Sequence, residues 1–289
     1  MKLSRLYNQA IKAGRRHDPR GKGSWDYADS RLLYGAPDTQ VNKILAGIDI
    51  EVGELLLADK IRRDNGLDLV IAHHPEGAAH ASFYEVMKLQ VDMLCNAGVP
   101  RNVAEKLLEE RKWEVERRVL PANHMRTVDA ARLLDMPLIC LHTPADNQVS
   151  GFLDALMRKE KPKLVGDIID LLLAIPEYKK ARVDLAGPKI IYGDPKRKAG
   201  KVFIEMTGGT EGHREVYGNL HKAGIRTIIG MHLSEEHLKK VKDVNLNVVI
   251  AGHISSDTLG LNLLLDQVEK EEPLEVIGCS GFQRIRRKA

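Results

Sequence analysis

The sequence has few cysteine and few aromatic residues. Only three cysteines occur among 289 residues, and Cys95, Cys140 and Cys279 form no CxxC pair. Neither a disulfide framework nor a zinc site built from thiolates is therefore indicated. Aromatic residues make up 4% of the chain, which argues against stacking platforms for single-stranded nucleic acid and predicts a mostly aliphatic core.

Long apolar segments are also missing. No apolar run reaches the roughly 20 residues that a membrane span requires, and the first residues lack the apolar segment of a secretory signal. The basic stretch Met1 to Arg20 is compatible with an organellar transit peptide, but Leu3, Leu6, Ala10 and Ile11 recur at helical spacing, which favours a packed first helix. We expect a soluble protein of the reducing cytoplasm.

The charge of the chain is only mildly basic. A formal net charge of +4 is compatible with an anionic substrate, although a surface with slightly more basic than acidic side chains explains it more simply. Apolar residues at 43% and charged residues at 29% are ordinary for a globular protein. The length suits one large domain or two modest ones.

Short aliphatic runs bounded by turn residues predict buried strands, and the segments between them carry apolar residues at helical spacing. This alternation predicts an α/β fold with a largely parallel sheet flanked by helices. The predicted strands are Ile44 to Ile50, Leu67 to Ala72, Pro137 to Leu141, Val202 to Met206, Arg226 to Gly230, Asn247 to Ala251 and Leu274 to Gly278. The predicted helices are Val52 to Arg63, Ser82 to Ala97, Thr127 to Leu134, Ser150 to Arg158, Gly166 to Ala174, Glu211 to Ala223, Ser234 to Val241 and Ser256 to Glu269.

Two segments interrupt this alternation. Arg101 to Leu120 is heavily charged with apolar residues at helical spacing, which is typical of a protruding helix or an oligomer contact. Arg182 to Gly200 contains two prolines and several glycines among several lysines, which predicts a hairpin or a loop between the halves of the chain.

Histidine or carboxylate side chains follow three of the predicted strands directly, in VIAHHPEG, LICLHTPAD and VVIAGHISSD. The carboxyl ends of parallel strands line one crevice, so residues that are distant in sequence can converge there. Imidazole nitrogens and carboxylate oxygens bind zinc, iron or manganese without thiolates. The sequence therefore predicts a metal site built from His73, His74, Asp146, His253 and Asp257.

The double histidine suggests more than one ion. Successive residues at a strand end point to opposite sides, so His73 and His74 can each serve a different metal. Asp146 lies four residues after His142, and Asp257 lies four residues after His253. The sequence thus favours a two-metal site.

Other residues carry weaker signals. Gly208 and Gly209 lie between a predicted strand and a predicted helix, where backbone amides can contact an anion, although a tight turn is the simpler interpretation. Glu76 and His232 are the nearest candidates for proton transfer, with solvated loop residues as the alternative. No GxSxG motif occurs, so a serine triad has no support.

These motifs resemble those of the Nif-three-like family of dinuclear-metal proteins, some of which carry the name GTP cyclohydrolase type two. VIAHHPEG is similar to the family's strand that ends in a double histidine and proline. LHTPAD is similar to its His-Thr-x-x-Asp segment, and AGHISSD to its Gly-His-x-x-x-Glu segment. Weaker similarities lie in WDY at Trp25 to Tyr27, AGIDIE at Ala46 to Glu51 and the glycine-rich TGGTEG.

The resemblance has implications for architecture and assembly. It implies two α/β lobes with mostly parallel sheets around a central metal-binding cleft, and a homo-hexamer assembled from dimers. We place the first lobe in residues 1–140 and the second in residues 141–289, with residues 247–289 returning to complete the metal site. It implies two divalent ions, of zinc, iron or manganese, held by His73, His74, Asp146, His253 and Asp257.

The sequence departs from the family pattern in three places. The last ligand is usually Glu, and Asp257 is shorter by one methylene, roughly 1.5 Å of reach. The stretch between His74 and His142 is long, which makes Arg101 to Leu120 an insertion that could cover the cleft or alter assembly. Tyr27 stands where the family has Asn.

The leading functional prediction is a metal-dependent hydrolase of a small phosphorylated or nucleotide-like molecule, because two ions can bind a bridging water and lower its pKa. The alternative is a non-catalytic oligomer that stores metal, delivers metal or serves as a scaffold. Nucleic-acid binding would require a continuous basic stripe, which the net charge does not favour.

Overall fold

The structure is a computed structural model that describes residues 1–23 and 25–287. The strands in these residues are β1 (Ser30–Tyr34), β2 (Lys43–Gly47), β3 (Leu69–Ala72), β4 (Leu138–Leu141), β5 (Lys189–Tyr192), β6 (Lys201–Glu205), β7 (Ile225–Gly230), β8 (Asn247–Ile250) and β9 (Glu275–Cys279). The α-helices are α1 (Leu3–Gly14), α2 (Val52–Asn65), α3 (Gly77–Ala81), α4 (Leu89–Ala97), α5 (Arg101–Val119), α6 (Arg126–Leu133), α7 (Thr143–Glu160), α8 (Val165–Leu173), α9 (Pro176–Val183), α10 (Val216–Lys222), α11 (Glu235–Asp243) and α12 (His253–Val268). Two 3-10 helices span Arg15–His17 and Phe83–Lys88. None of the helices in this part of the chain is long and apolar enough to cross a membrane.

The strands form two sheets. The first has five strands in the order β1-β4-β3-β2-β9, and the second has four in the order β5-β8-β7-β6. Neighbouring strands run parallel except at one edge of each sheet, where β1 lies antiparallel to β4 and β5 lies antiparallel to β8. The predicted fold, two α/β lobes with mostly parallel sheets, is confirmed.

Helices α7 and α12 lie between the two sheets. On α12, Leu261 and Leu264 belong to the core of the first sheet, whereas Leu259 belongs to the core of the second. A helix that is apolar on all sides is expected to be buried in this way. The two helices approach closely at Gly260, where an added Cβ would lie 2.5 Å from the carbonyl oxygen of Ala145. This contact fixes the spacing of the helices that carry Asp146 and Asp257.

Other helices cover the outer faces of the sheets. Helices α2 and α6 pack on the first sheet, and α4, α5, α10 and α11 pack on the second. The charged helix α5 buries Ala104, Leu108, Val115 and Val119 along one face. The predicted insertion is therefore a packed helix whose polar residues face outwards.

The sequence did not predict two strands or the short helices α3 and α9. It also misplaced three helix starts, and one of them is that of α10, which begins at Val216 and not at Glu211. The edge strands β1 and β5 are only partly buried, so they lack the continuous apolar run that marks the other strands. Helices α7 and α12 begin at Thr143 and His253, before the predicted Ser150 and Ser256. Because β5 pairs with β8 and not with β6, the segment from Arg182 to Gly200 is no hairpin.

The first sheet also includes β9, the last strand in the described part of the chain. Strand β4, which ends at Leu141, and strand β9, near the C-terminus, both belong to the first sheet. The lobe boundary between residues 140 and 141 stays a prediction.

Candidate metal centre

Four histidines at the carboxyl ends of parallel strands in both sheets lie close together. His73 and His74 follow β3, His142 follows β4, and His253 follows β8 after two residues. The ring centroids of His73 and His142 are 5.0 Å apart, and those of His74 and His253 are 5.2 Å apart. The two lobes thus share a single group of imidazoles, as expected where strand ends face a common cleft.

Two aspartates complete this group. Ligand atoms that lie within 4.8 Å of one another form three overlapping sets, which share His73, His74 and Asp257 between them. All five predicted ligands belong to these sets, and one further histidine joins them. We call the whole group the histidine–aspartate cluster: His73, His74, His142, Asp146, His253 and Asp257.

The carboxylates lie at distances from the imidazoles that suit a shared ion. Asp146 Oδ1 is 3.4 Å from His73 Nε2, and Asp257 Oδ2 is 3.4 Å from His74 Nε2. A charge-assisted hydrogen bond would be shorter, at about 2.7–2.9 Å. Two ligand atoms that each lie about 2.1 Å from one tetrahedral ion are roughly 3.4 Å apart. The spacing therefore fits metal coordination better than direct hydrogen bonding.

Asp257 faces different histidines with its two oxygens. Its Oδ1 is 3.5 Å from His73 Nε2, and its Oδ2 is 3.6 Å from His253 Nε2. Because α12 begins at His253, Asp257 lies one helical turn later on the same face. The early start of the helix brings the carboxylate into the cluster despite its shorter side chain.

Three atoms at the centre of the cluster are buried without a hydrogen-bond partner in the described part of the chain. They are His73 Nε2, Asp146 Oδ1 and Asp257 Oδ2. Buried polar atoms are nearly always paired, and buried carboxylates that lack a partner are costly. A cation among these atoms would satisfy all three, so the residues present fit a metal.

The outer nitrogens of the paired histidines are held by acceptors. His73 Nδ1–H donates to the carbonyl oxygen of Leu141 at 3.2 Å, and His74 Nδ1–H donates to Asp49 Oδ1 at 2.7 Å. These bonds fix the tautomer that turns each Nε2 towards the cluster. Both rings are thereby oriented for coordination.

His142 is the cluster residue that the sequence reasoning did not assign as a ligand. Its Nδ1–H donates to Asp29 Oδ2 at 2.7 Å, and Thr143 Oγ1–H donates to the same oxygen at 2.6 Å. A signal for His142 was present, because it follows β4 directly as His73 follows β3. Asp29 precedes the unpredicted β1, and no sequence pattern marked it.

The pKa values within the cluster reflect burial and the mutual influence of its members. Burial alone would raise the pKa of Asp257, but His73, His74 and His253 hold that pKa below its ordinary range. Burial raises the pKa of Asp146 well above its ordinary value. Burial lowers the pKa of His253 to about 4, whereas Asp257 and Asp49 outweigh burial at His74 and raise its pKa to about 9. A bound cation would favour ionised carboxylates and neutral imidazoles throughout.

A cavity of about 40 Å³ adjoins the cluster. One side of it is formed by three cluster residues and the other by residues at the ends of β6 and β7 and in the glycine-rich turn after β6. Its lining comprises His142, Asp146, His253, Glu205, Met206, Thr207, Gly209, Thr210, Glu211, Met231 and His232.

The two predicted proton-transfer residues lie in different surroundings. His232 lines the cavity, with its ring centroid 5.1 Å from that of His253 and its Nδ1 3.5 Å from Glu211 Oε1. The bond to Glu211 outweighs burial and raises the pKa of His232. Glu76 precedes α3, and burial raises its pKa. It is not among the residues that line the cavity.

The predicted anion-contact glycines have a conformational role. Gly208 and Gly209 have φ values of 92° and 89°, which favour glycine. A Cβ on Gly208 would lie 2.8 Å from Gln90 Cγ. Helix α10 begins only at Val216, so the turn does not lie at its N-terminus. The anion contact stays a prediction.

Solved structures show what the chain resembles, whereas no family model and no curated protein matches it in sequence. A NIF3 superfamily protein from Sphaerobacter thermophilus is 27% identical with a TM-score of 0.78, over 95% of this chain and 98% of that one. Reduced HcgD from Methanocaldococcus jannaschii is 14% identical with a TM-score of 0.56, over 96% and 97% of the two chains. A protein from Thermus thermophilus is 16% identical with a TM-score of 0.55, over 96% and 97%. The last two similarities concern the fold alone.

Proposed function

We propose, from the premise that this is a Nif-three-like protein whose histidine–aspartate cluster can hold metal, that it is a dinuclear-metal hydrolase. We propose a small phosphorylated or nucleotide-like molecule as its substrate. The observation that supports catalysis is the cavity beside the cluster, which gives a small ligand space next to the candidate ligands. A site that only stored metal would need no such space.

We assign two divalent ions, of zinc, iron or manganese, to the cluster. Asp257 would serve the ligand sets of both ions, since its two oxygens lie near different imidazoles. When bound, such ions act as Lewis acids and lower the pKa of a coordinated water from about 15.7 to about 7. The assigned ligands are His73, His74, Asp146, His253 and Asp257, with His142 as an additional donor.

One residue across the cavity and one outside it would transfer protons. We assign His232 as a proton donor to the leaving group, because Glu211 favours its protonated form and the ring faces the cavity. Glu211 is held in turn by a hydrogen bond from the backbone N–H of Ser234. Glu76 is the second proton-transfer residue that we propose, and the backbone amides of Gly208 and Gly209 are proposed to contact an anionic group.

Metal analysis of the purified protein tests this assignment. The wild-type protein is expected to retain two equivalents of metal, whereas His74→Ala and Asp257→Ala are expected to lose most of it. Asp243→Ala, which removes an exposed carboxylate of α11, serves as the control. Full metal retention by both cluster variants would refute the site.

A screen of phosphoesters and nucleotides with the metal-loaded protein tests the reaction. Hydrolysis that disappears in Asp257→Ala and persists in Asp243→Ala supports the hydrolase. Full metal loading without turnover of any compound would instead favour the storage or delivery alternative.

We further propose that the protein is a cytoplasmic homo-oligomer, a hexamer by its family resemblance. Trp113 and Leu120, on α5 and directly after it, are more than half exposed, and exposed large apolar side chains are typical of subunit contacts. Light scattering after gel filtration measures the mass. A monomer at micromolar concentration would exclude the proposed assembly.

A further inference from the structure

Glu205 is a carboxylate that faces the cluster from the opposite lobe. It is the last residue of β6, and its neighbour in register on β7 is Gly230. It lines the same cavity as Asp146 and His253. Behind it lies a second cavity of about 20 Å³ with apolar walls that include Phe203 and Val216. The carboxylate therefore stands between apolar packing and the space beside the cluster.

No group in the described residues compensates the Glu205 carboxylate. Its surroundings supply neither a hydrogen bond nor an ion pair within 4.0 Å. Burial and then the charge of Glu211 raise its pKa to about 7, and His232 opposes this only in part. The side chain is half-buried, and a carboxyl that lacks a partner beside a cavity is a candidate for ligand binding or catalysis.

The donors around Glu205 are committed to other acceptors. The side-chain amide of Gln90 donates to the carbonyl oxygens of Gly208 and Thr210. His232 and His237 lie 3.5 Å and 3.4 Å from the carboxylate of Glu211. The Glu205 carboxylate is thus a hydrogen-bond acceptor without a donor beside the cavity.

A neighbouring hydroxyl is also unpaired. Tyr217 is 1% exposed, and its hydroxyl has no hydrogen-bond partner among residues 1–23 and 25–287. Burial and then the charges of Glu205 and Glu211 raise the pKa of Tyr217. Tyr217 therefore offers no compensation to Glu205, since its hydroxyl forms no hydrogen bond with that carboxylate.

The chemistry of this region excludes some ligands. Glu205 does not belong to any of the described sets of ligand atoms within 4.8 Å of one another, so its carboxylate is not part of a metal site. Two carboxylates, Glu205 and Glu211, would repel a phosphate placed between them. A volume of about 40 Å³ holds roughly three water-sized groups, so the part of the substrate that enters the cavity is a small polar group and not a ring.

We infer that Glu205 is a specificity-determining residue whose carboxylate accepts hydrogen bonds from an amino or ammonium group of the substrate. This inference rests on the proposed function, since it assigns the cavity to a substrate whose reacting end meets the cluster. The amino group lies between Glu205 and Glu211, and any anionic group of the substrate lies towards the metal ions and the glycine-rich turn. The substrate is accordingly a small molecule that carries an amine in addition to its hydrolysable bond.

Probe binding to zinc-loaded protein tests the inference. Methylammonium chloride is titrated into wild type, Glu205→Gln and Glu235→Gln, and binding is followed by the NMR signals of the histidine rings. Sodium acetate, of similar size and opposite charge, is the comparison probe, and potassium chloride keeps the ionic strength constant. Glu235 is an exposed glutamate of α11, so its replacement makes the same chemical change away from the cavity.

The inference expects selective loss of amine binding. Methylammonium should perturb the ring signals of wild type and Glu235→Gln with equal affinity, and Glu205→Gln should bind it about tenfold more weakly or worse. Any binding of acetate should be equal in the three proteins, because an anion binds on the side of the metal ions. Equal methylammonium affinity in wild type and Glu205→Gln, or an equal loss of acetate and methylammonium binding in Glu205→Gln, would overturn the inference.

Two further measurements separate this inference from the proposed function. The melting temperature shows whether Glu205 has a structural role. At pH 8, Glu205→Gln should melt at or above the wild-type temperature. A clear fall in melting temperature together with unchanged probe binding would assign Glu205 a packing role. The titration is repeated after chelator treatment. If the wild type holds no metal, the proposed hydrolase fails, but the difference between wild type and Glu205→Gln still decides the role of Glu205.

Discussion

Asp146 and Asp257 are two carboxylates that the fold holds within 3.5 Å of the same imidazole nitrogen of His73. Both are almost completely buried. Without a cation, the histidines offset the burial of Asp257, but burial still raises the pKa of Asp146 well above its ordinary value. Side chains held in such a costly arrangement are typical of functional sites, so we interpret the cluster as a site built for metal.

The hydrogen bond from His74 to Asp49 predicts an effect on metal affinity without an effect on folding. Asp49→Ala removes the acceptor that orients His74, and loss of such outer partners typically weakens metal binding about 10–100-fold. The Asp49 side chain is 58% exposed, so the free energy of unfolding of the chelator-treated protein should change by less than about 0.5 kcal/mol. Competition with a chromophoric chelator measures the affinity, and the exposed Asp38→Ala is the control. Unchanged affinity in Asp49→Ala would show that His74 is oriented by other contacts.

The raised pKa of Glu205 predicts how the free energy of unfolding of the chelator-treated protein depends on pH. Its pKa is raised from 4.5 to about 7 in the folded state, so the unfolded chain releases this proton at lower pH than the folded chain does. The free energy of unfolding therefore falls between about pH 4.5 and pH 7, and Glu205→Gln lacks this fall. The variant should become more stable than wild type across this window, by at most about 3 kcal/mol at pH 8.

Urea denaturation at several pH values between 4.5 and 8 measures this difference. Glu235→Gln should show no comparable trend with pH. A constant difference between Glu205→Gln and wild type across the window would contradict the raised pKa.

The residues that the sequence could predict share one property. Each of them follows a predicted strand closely, so the positions of histidine and aspartate relative to the strands were enough to select them as candidate ligands. They are His73, His74, His253 and the two aspartates. Glu205 also lies in a predicted strand, but a single glutamate there gave no sign of its missing partners. In the described residues Glu205 lacks a partner because the nearby side-chain amide of Gln90, on α4, donates to the glycine-rich turn instead.

At the scale of elements, the crossing of α7 and α12 sets the geometry of the cluster. Asp146 lies in the first turn of α7, and Asp257 lies in the second turn of α12. The helices approach at Gly260, where only hydrogen fits against the carbonyl oxygen of Ala145. The distance between the two carboxylates therefore depends on one glycine.

Gly260→Ala is expected to separate these helices. Overpacking of this kind costs about 1–3 kcal/mol of unfolding free energy, and the shift of α12 should also weaken metal binding. Gly218→Ala is the matched control, because the described residues place no atom within 4 Å of its added Cβ and it should stabilise α10 by up to about 1 kcal/mol. Denaturation and chelator competition measure the two effects. Wild-type stability and affinity in Gly260→Ala would show that the helices do not depend on this contact.

The predicted elements failed where tertiary contacts replaced local patterns. Strands β1 and β5 are held by their antiparallel neighbours β4 and β8 and not by a continuous apolar run. Helix α12 starts at His253, whereas periodicity alone placed His253 and Ser255 outside the helix. Because His253 is a candidate ligand, local rules were least reliable at the site.

At the scale of the whole molecule, the cleft joins two sheets through their strand ends. His73, His74 and His142 follow strands of the first sheet, whereas His253 follows a strand of the second. The alternation of strands and helices could predict the α/β class and the parallel order. It could not predict that the two sets of strand ends face each other, because that depends on burial of α7 and α12 between the sheets.

Anomalous X-ray diffraction at the zinc edge, from crystals of the zinc-loaded protein, tests the central claim that this cluster is a two-metal site. The account predicts two anomalous peaks inside the cluster, each about 2.0–2.2 Å from an imidazole Nε2 atom, with Asp257 in contact with both. A map without a peak among these residues, or with peaks only elsewhere on the chain, would contradict the account.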